Sequence, residues 1–565
     1  MFANGRIWIA YLIVFASSAC TLVIELIAGR IMAPYIGVSL YTWTSIIGIV
    51  LAGMSVGNYL GGLVADRAPS RRTLGLIFLA AGIASLGILV VTDLVVAARL
   101  PLSLLPRIVF YTTAIFFLPS LVLGMVSPVV VKLALTDLER TGNTVGTIYA
   151  VSTVGSIVGT FLTGFWLISW MGTRMIVWGV GGSLVVIGLA VGDFLRPRRG
   201  LGILALTGLG AAALLGLHAS GVLSGLAGRA AALFALPAVV LGPVLIIAGG
   251  LLWRRMAMGS GGIAVAIVAL VGLGWNIGHY RAPCRVESDY FCIQILEAMA
   301  GDRGARTLML DRLIHSYVVL DDPTALGYGY ERAYAELTQA HAAGRMALDT
   351  LFIGGGGYTF PRYIEAVYPQ ATVDVIEIDP AVTRATYEHL GLSRETRIRS
   401  FNHDARAFLQ EWADPKRYDI IYGDAFNDLS VPYHLTTVEF NRMLATRLKP
   451  DGIYLANVID KLEGGEFLKA YANSLKRVFP HVHILARTDA VLPFDRNTYV
   501  LMASRQPLDR SRLDAVTSSD ESERTVPMRD AQLEAYLRSG RALVLTDDFA
   551  PVDQLLANLS VERGN

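Results

Sequence analysis

The sequence contains few charged residues. Only 17% of its 565 residues are Asp, Glu, Lys or Arg, whereas 53% are hydrophobic and the mean hydropathy is +0.50. About a quarter of the residues are charged in a typical soluble protein. The composition therefore excludes a wholly soluble chain, and the net charge of +2 gives no indication of a charged partner.

Several functional signatures are also missing from the sequence. It has no cluster of residues at the spacing of zinc or iron ligands, and no flavin signature. The basic residues are scattered or lie in short loops between apolar segments, so they do not form the basic patch typical of nucleic-acid binding. We therefore expect no metal and no nucleic-acid partner.

The charge that is present is unevenly distributed along the chain. Up to about residue 280, apolar runs recur that are long enough for a membrane span, which takes about 20 residues. From residue 281 onward, acids, bases and histidines return to the density of a globular protein. We predict nine spanning helices, at 8–27, 41–65, 74–97, 108–133, 145–170, 175–194, 201–220, 231–253 and 262–279.

The loops between these helices bear on orientation. Eleven lysines and arginines lie on the side of the N-terminus and five on the other side, so the positive-inside rule places the N-terminus in the cytoplasm. Nine crossings then leave the remainder of the chain outside, and a count wrong by one reverses that answer.

Cys284 and Cys292 can pair in an oxidising compartment, or they are two unpaired residues on a strand.

The chain is predicted to have four parts: a transmembrane helical domain (1–280), a small strand-rich segment (281–345), a Rossmann-like domain (346–505) and a C-terminal extension (506–565). In the third part, short apolar strands alternate with helical stretches, which predicts a doubly wound, mostly parallel sheet of the methyltransferase type. The expected fold class is an α-helical multi-pass membrane bundle followed by an α/β Rossmann-like domain with a small N-terminal β-sheet. The predicted strands are 350–353, 373–376, 397–401, 418–422, 453–458, 483–486 and 499–503.

Polar residues follow four of these strands directly. An apolar strand that ends in a glycine-rich turn, with an acid at the tip of the next strand, is typical of a nucleoside site. The acids are Glu377, suited to the ribose hydroxyls, Asp404, suited to the adenine amino group, and Asp424 and Asp428 after the fourth strand. A helix N-cap or a solvated turn is the alternative interpretation, above all for Asp404 and Asp428. The turn itself comprises Gly354, Gly355, Gly356 and Gly357.

These motifs resemble the spermidine synthase family, and in particular its membrane-fused members with an N-terminal multi-helix region. The resemblance covers roughly residues 287–503. It implies that the glycines and Glu377 bind the adenosyl substrate, that Asp404 and Ala405 border its adenine, and that Asp424 takes a proton from an attacking amine. Tyr290 is the second residue that we predict to be catalytic. The matching segments begin at Glu287, Leu310, Ile353, Ile376, Asp404 and Gly423.

The chain also departs from the family pattern. The family has an acid at the position of Gly357, where it binds the free amine of decarboxylated S-adenosylmethionine, so a glycine removes the discrimination against the intact compound. Phe291 and His315 stand where the family has glutamines that border the polyamine, and residues 330–332 replace a tyrosine-histidine-glutamate stretch. Polyamine synthesis is therefore not assured. The second pocket is predicted to contain Phe291, His315, Asp428 and Tyr358.

We therefore expect a membrane-bound transferase that uses S-adenosylmethionine or its decarboxylated form. An amine attacks a carbon next to the sulfonium and releases 5'-methylthioadenosine; the amine belongs to a small molecule or to the cofactor itself. The expected surroundings are the lipid bilayer, and a homodimer is left open. Two alternatives remain: a methyltransferase, and a polyamine or adenosyl-compound transporter or sensor, for which Glu25, Arg30 and Asn58 are the only sequence hints.

Overall fold

The structure is a computed structural model that describes most of the chain. The described residues are 7–98, 102, 104–135, 141–193, 284–300, 303–412, 416–425, 431–487, 496–517 and 524–556. The chain divides into two compact units, Met1–Pro283 and Cys284–Asn565.

The first unit is helical throughout its described part. Polar caps begin two of the helices: Ser39 accepts a hydrogen bond from Thr42 N (3.3 Å), and Ser70 accepts one from Thr73 N (3.1 Å). A π-helical turn, Thr163–Leu167, joins α6 to α7. The helices are α1 (Ile7–Ile36), α2 (Leu40–Arg67), α3 (Arg71–Ala97), α4 (Leu104–Gly124), α5 (Val126–Ala134), α6 (Thr141–Leu162), α7 (Ile168–Trp170) and α8 (Thr173–Val191).

Among the described residues, six helical stretches are long and apolar enough to cross a membrane. They coincide with the first six of the nine predicted segments, with one span formed by α4 and α5 together and another by α6 through α7. The predicted segments 201–220, 231–253 and 262–279 lie outside the described residues. The structure therefore supports six spans and does not support the count of nine.

Glycines set the distance between paired helices of this unit. An ideal Cβ on Gly57 of α2 would lie 2.0 Å from the carbonyl oxygen of Leu121 in α4. On Gly155 of α6 it would lie 2.3 Å from the carbonyl oxygen of Phe15 in α1, and on Gly82 of α3 it would lie 2.8 Å from a backbone oxygen of α8. Any larger residue at these positions would push the helices apart, as expected for small residues at membrane helix contacts.

Two ion pairs also join helices of the first unit. Arg174 Nη2 lies 3.4 Å from Asp93 Oδ1, and both side chains hydrogen-bond with Tyr35. Lys132 Nζ lies 2.9 Å from Asp66 Oδ1, with both side chains largely exposed.

The second unit begins with a small antiparallel sheet. Its strands are β1 (Val286–Glu287), β2 (Cys292–Ala300), β3 (Arg303–Leu310) and β4 (Leu313–Val319), in that spatial order. Cys284 and Cys292 form a disulfide with their Cα atoms 5.1 Å apart, so of the two interpretations the structure has the paired one. Asp311 closes the neighbouring turn, since its Oδ1 accepts a hydrogen bond from Cys292 N (3.0 Å).

The main sheet has eight strands in the order β12-β10-β11-β9-β8-β5-β6-β7. Strands β5 to β9 run parallel, whereas β10, β11 and β12 join antiparallel at one edge. All seven predicted strands are present, and the eighth is the short β12. The strands are β5 (Asp349–Ile353), β6 (Thr372–Glu377), β7 (Arg399–Asn402), β8 (Tyr418–Gly423), β9 (Leu448–Asp460), β10 (His481–Arg487), β11 (Asn497–Ser504) and β12 (Thr525–Pro527).

Helices connect the parallel strands of this sheet. The strand order starts at β5 and proceeds in opposite directions to β6 and to β8, which creates a topological switch point at their carboxyl ends. Ligands of open α/β sheets bind in the crevice at such a point. The helices are α9 (Gly329–Ala342), α10 (Thr359–Val367), α11 (Pro380–His389), α12 (Ala405–Glu411), α13 (Val438–Arg447), α14 (Phe467–Lys476), α15 (Arg510–Val516), α16 (Asp530–Arg538) and α17 (Val552–Leu556).

The amino ends of the same strands carry two buried acids that pair with more exposed bases. Asp374 accepts hydrogen bonds from Arg399 Nε (2.6 Å) and Lys416 Nζ (2.9 Å), and Asp419 accepts them from Arg345 Nη1 (2.8 Å) and Lys449 Nζ (2.7 Å). Burial alone would raise the pKa of both acids, but these donors hold it below the ordinary value. This end of the sheet is therefore a structural network.

Candidate active site

The four predicted strand-end motifs meet at one edge of the main sheet. The glycine turn follows β5, Glu377 ends β6, Asp404 follows β7 and Asp424 follows β8. The turn and Asp424 are in direct contact, because an ideal Cβ on Gly354 would lie 2.3 Å from the carbonyl oxygen of Asp424. With a φ of 97°, Gly354 is also in a backbone conformation that favours glycine.

Glu377 organises the glycine turn. Its side chain accepts hydrogen bonds from the backbone N–H groups of Gly355 (2.8 Å), Gly356 (3.1 Å) and Asp379 (3.0 Å). Burial raises the pKa of this carboxyl, although the three N–H groups act in the opposite direction. Since a carboxylate has about four acceptor sites, roughly one remains for a ligand hydroxyl. The role of Glu377 in binding ribose stays a prediction.

The backbone N–H groups of the turn donate hydrogen bonds within the turn, to β6 and to the small sheet. Gly354 N donates to Ile376 O (2.8 Å), Gly357 N donates to Ser316 Oγ (2.7 Å) and Tyr358 N donates to Gly355 O (2.8 Å). Together with the two amides bound by Glu377, each backbone N–H from 354 to 358 thus donates within the protein. The turn therefore does not supply an anion-binding nest of the P-loop kind.

Gly357 is the position at which the family acid is missing, and the structure gives a physical reason. An ideal Cβ there would lie 2.5 Å from Ser316 Cβ and 2.8 Å from Ser316 Oγ. Ser316, in β4, is buried. Space, rather than backbone conformation, keeps side chains out, because the φ of Gly357 is not among the positive values.

Tyr358 lies in the core and does not line a second pocket, which corrects the prediction. Its side chain is 0% exposed, and its ring packs beneath Gly355. An ideal Cβ on Gly355 would lie 2.6 Å from Cε2 of this ring. Its hydroxyl donates to Ser400 Oγ (3.1 Å). The aromatic ring can fill the space under the turn because residue 355 has no side chain.

Both oxygens of Asp424 are held by donors from other elements. Tyr330 Oη donates to Oδ2 (2.9 Å), and Asn457 Nδ2 donates to Oδ1 (2.8 Å). Burial raises the pKa of Asp424, whereas both donors lower it. The sequence identifies residues 330–332 only as a departure from the family, and it misses Asn457. The available signal for Asn457 is its position near the end of a predicted strand.

A fully buried carboxyl lies close to the half-buried Asp424. Glu331, the residue after Tyr330, is 2% exposed and accepts a hydrogen bond from Tyr328 N (3.1 Å). Burial, with a further contribution from the negative charge of Asp424, raises the pKa of Glu331 to about 8. This part of the site therefore holds two acids in different environments. The sequence marks Glu331 only as part of the departure at residues 330–332 and does not predict that it is buried near Asp424.

Asp404 has the role that the alternative interpretation gave it, as the N-cap of α12. Its Oδ1 accepts a hydrogen bond from Ala407 N (2.9 Å), and its Oδ2 lies 2.9 Å from His434 Nε2. Burial by itself would raise the pKa of Asp404, but these two partners lower it. Ala405, the first residue of the helix, is buried beside it. An adenine contact by these two residues stays a prediction.

Tyr290 lies in the turn between β1 and β2 and is 48% exposed. Ser288 shapes this turn, because its Oγ accepts hydrogen bonds from the N–H groups of Tyr290 (3.1 Å) and Phe291 (2.9 Å) and donates to Asp379. Partial burial and the charges of Asp379, Asp289 and Asp404 raise the pKa of Tyr290. The tyrosine therefore lies near the predicted adenosyl end, and its catalytic role is untested.

The other residues of the predicted second pocket have different environments. Phe291 packs against the buried apolar cluster of the small sheet, so its ring contributes to that core. His315 is half-buried in β4, next to Ser316. Asp428 lies outside the described residues. Within the described part of the chain, no group of three His, Cys, Asp or Glu residues could hold a metal ion.

Comparison with known families matches residues 340–504 to the "Spermine/spermidine synthase domain". The chain is 25% identical over 252 residues to a probable polyamine aminopropyl transferase of Bifidobacterium longum, covering 42% of this chain and 54% of that protein. It is 32% identical over 108 residues to a polyamine aminopropyltransferase of Vibrio vulnificus, covering 19% and 36%. The chain thus spans about half or less of these curated relatives.

Two further similarities concern a methyltransferase and a solved structure. An eEF1A lysine and N-terminal methyltransferase of Bos taurus is 24% identical over 184 residues, covering 29% of this chain and 26% of that protein. The crystal structure of a probable spermidine synthase from Corynebacterium glutamicum is 24% identical with a TM-score of 0.42, covering 46% of this chain and 95% of that one.

Proposed function

Because the C-terminal half of the chain carries a spermine/spermidine synthase domain, we propose that the protein is a membrane-bound transferase of the aminopropyltransferase kind. Its substrate is S-adenosylmethionine or the decarboxylated form, and an amine attacks the carbon next to the sulfonium. The C–S bond breaks as the C–N bond forms, and 5'-methylthioadenosine leaves with the electron pair. The observation that carries this proposal is Asp424, half-buried at the switch point and held by Tyr330 and Asn457.

Asp424 is suited to act as the base for the attacking amine. Its raised pKa makes it a stronger proton acceptor than an ordinary aspartate, and its two donors fix the orientation of the carboxylate. The sulfonium is already a good leaving group, so alignment of the amine and removal of its proton are the main tasks. The site also has a negative electrostatic potential, which attracts a sulfonium or an ammonium. Its acids are Glu377, Asp404 and Asp424, at one edge of the sheet.

The contact between Gly357 and Ser316 supports a relaxed choice of adenosyl substrate. Decarboxylated S-adenosylmethionine finds no carboxylate at position 357, and the intact compound meets no repulsion there. The loop amides are already bonded within the protein, so they offer the carboxylate of the intact compound no added attraction. Both forms are therefore candidates, and in the intact form the nucleophile can be the substrate's own amine, which gives an intramolecular cyclisation.

The test is a product analysis with purified full-length protein. Intact or decarboxylated S-adenosylmethionine is supplied with and without putrescine, and products are identified by mass spectrometry. We expect 5'-methylthioadenosine, and we expect Asp424→Asn to abolish it while the melting temperature stays within a few degrees of the wild type. Release only from the decarboxylated form with a diamine would identify ordinary polyamine synthesis. Turnover that survives in Asp424→Asn would overturn the assignment of the base.

A methyltransferase is the second candidate, because the Bos taurus relative is described as one. It would use the same adenosyl substrate but would release S-adenosylhomocysteine. The same mass spectra separate the two reactions, since the two nucleoside products differ in mass.

A transporter or sensor with a nucleoside-binding domain is supported only by the first unit. The Asp93–Arg174 pair with Tyr35 joins three helices of this unit by partly buried polar groups near the helix ends. This candidate predicts binding of the adenosyl compound without turnover.

We also propose that the second unit lies outside the cytoplasm. The loop-charge count supports this side if the number of spans is odd. The Cys284–Cys292 disulfide supports it independently, since disulfides persist in oxidising compartments.

A further inference from the structure

The segment Leu545–Phe549, which we call the strap, is anchored close to the predicted adenine end of the site. Leu545 is fully buried; its N–H donates to Ser474 Oγ (2.7 Å), and its carbonyl oxygen accepts from Val438 N (2.9 Å). Thr546 and Phe549 pair with each other and close a tight turn directly after this anchored residue. The turn presents Asp547 to α12 and to the start of α13.

Asp547 gathers donors from two different elements. Arg406 of α12 makes a bidentate pair with its carboxylate, and Thr437 Oγ1, at the N-cap of α13, donates to Oδ1 at 2.8 Å. The backbone N–H of Asp547 donates in turn to Glu439 Oε2 (3.0 Å). The Arg406 side chain is 17% exposed and that of Asp547 is 39% exposed, and a bidentate arginine–carboxylate pair fixes geometry as well as charge.

Arg406 connects Asp547 to His434 and, through His434, to Asp404. Its Nη1 also donates to the carbonyl oxygen of His434 (3.1 Å), whose ring nitrogen lies 2.9 Å from Asp404 Oδ2. Asp404 caps the helix on which Arg406 lies. The contacts therefore form a continuous chain from the strap through Arg406 and His434 to Asp404.

The geometry points to Asp547 as a positioning residue for the nucleoside end of the site. It holds the Arg406 guanidinium, which holds the backbone of His434 and so keeps the imidazole against Asp404. This inference rests on the function proposed above, in which Asp404 meets the adenine. The hydrogen bonds between the two side chains, and in addition their opposite charges, lower the pKa of Asp547 and raise that of Arg406, consistent with mutual stabilisation.

The consequence is a selective effect on binding. Loss of the Asp547 carboxylate frees Arg406 and removes a tie on residues 431–437, so Asp404 and His434 lose their fixed relative position. The surroundings of Asp424 are unaffected, because Tyr330 and Asn457 come from other elements. KM for the adenosyl substrate should therefore rise much more than kcat falls.

The experiment measures binding of 5'-methylthioadenosine to the full-length protein by calorimetry, with KM and kcat measured in parallel. The variants are Asp547→Asn, Arg406→Gln and the double variant. Asp548→Asn is the matched control, because this neighbouring acid is exposed and has the same chemistry. We expect Asp547→Asn to raise Kd about tenfold, Arg406→Gln to do the same, and the double variant to be no worse than either. Asp548→Asn should change nothing.

Hydrogen exchange of residues 431–437 provides a readout that does not depend on activity. Exchange there should be faster in Asp547→Asn than in the wild type and unchanged in Asp548→Asn. An unchanged Kd with unchanged exchange, or additive effects in the double variant, would overturn the inference. If the wild type binds no 5'-methylthioadenosine, the proposed function fails instead, and the exchange result alone then decides whether the strap positions this loop.

Discussion

Ser316 and Gly357 occupy one space at the end of the glycine turn: Gly357 N donates to Ser316 Oγ at 2.7 Å, and a Cβ on the glycine would lie 2.5 Å from Ser316 Cβ. The two positions are therefore coupled, although Ser316 lies in the small sheet and Gly357 in the turn after β5 of the main sheet. A serine at 316 excludes a side chain at 357, and with it the acid that the family uses to bind the substrate amine.

This coupling predicts the result of restoring the acid. Gly357→Asp alone should destabilise the protein by about 1–3 kcal/mol, the usual cost of overpacking, and lower activity on every substrate. In Ser316→Gly/Gly357→Asp the contacts with Ser316 are removed, so part of the stability should return, although the N–H of residue 357 loses its acceptor and Val318 Cγ2 stays 3.1 Å from the added Cβ. The double variant should then prefer decarboxylated over intact S-adenosylmethionine, because the new carboxylate attracts the amine and repels the carboxylate. Melting temperatures and the ratio of kcat/KM for the two compounds measure both effects.

Ser316→Gly is the control for that experiment, since it opens the space without adding charge. It should leave the ratio of the two kcat/KM values close to that of the wild type. If the double variant has the same ratio as Ser316→Gly, position 357 does not face the aminopropyl end of the substrate.

The Tyr330 hydroxyl predicts a change in pH dependence. Its hydrogen bond to Asp424 stabilises the charged carboxylate and lowers the pKa of that acid, while burial raises it. Tyr330→Phe removes the bond, so the pKa of Asp424 should rise and the acidic limb of kcat/KM should move to higher pH. A hydrogen bond to a charged group is worth about 1.5 kcal/mol or more, so kcat should fall roughly tenfold.

Tyr363→Phe is the matched control for Tyr330→Phe, because the Tyr363 ring stacks on Phe360 in α10, away from Asp424. It should leave the pH profile unchanged. An acidic limb at the same pH in Tyr330→Phe and in the wild type would show that Asp424 is not the base that the profile reports.

The sequence was sufficient for elements that depend on local pattern. Apolar runs bounded by turn residues located seven strands of the main sheet, and runs of membrane length located the six described spans. The three-residue β12 was missed because so short a segment has no periodicity of its own. The break between α4 and α5 near Gly124 was missed for a similar reason, since the apolar run continues through it.

The contacts within the site were not predictable, because they join residues far apart in sequence. Tyr330 and Asp424 are 94 positions apart, and Gly357 and Ser316 are 41 apart. The motifs predicted that Gly354, Glu377, Asp404 and Asp424 lie at one edge of the main sheet. Each follows or ends a parallel strand, and the carboxyl ends of parallel strands lie at the same edge. The motifs could not show that Tyr358 lies beneath the turn, because a pattern does not distinguish an aromatic that fills a core from one that lines a cleft.

The Cys284–Cys292 disulfide predicts the side of the membrane on which the second unit lies. In a Cys20→Ala variant, these are the only two cysteines left in the sequence. If the unit is outside, a membrane-impermeant maleimide should label the protein in intact cells only after treatment with an impermeant reductant. Labelling that needs no reductant and occurs only in permeabilised cells would place the unit in the cytoplasm.

Glu331 predicts how stability depends on pH. Burial raises its pKa from 4.5 to about 8 in the folded protein, with a further contribution from Asp424, so between these values the folded state holds a proton that the unfolded state has lost. The stability that depends on this proton is complete below about pH 4.5, decreases as the pH rises and is lost above about pH 8.

Glu331→Gln tests this directly, since the amide keeps an acceptor for Tyr328 N and cannot ionise. The melting temperature of the wild type should fall between about pH 5 and about pH 9, and it should fall clearly less in Glu331→Gln. Glu395→Gln, at an exposed loop position, is the control and should follow the wild type. Equal losses in Glu331→Gln and the wild type would mean that Glu331 is already ionised at neutral pH, and that Asp424 works beside a second negative charge.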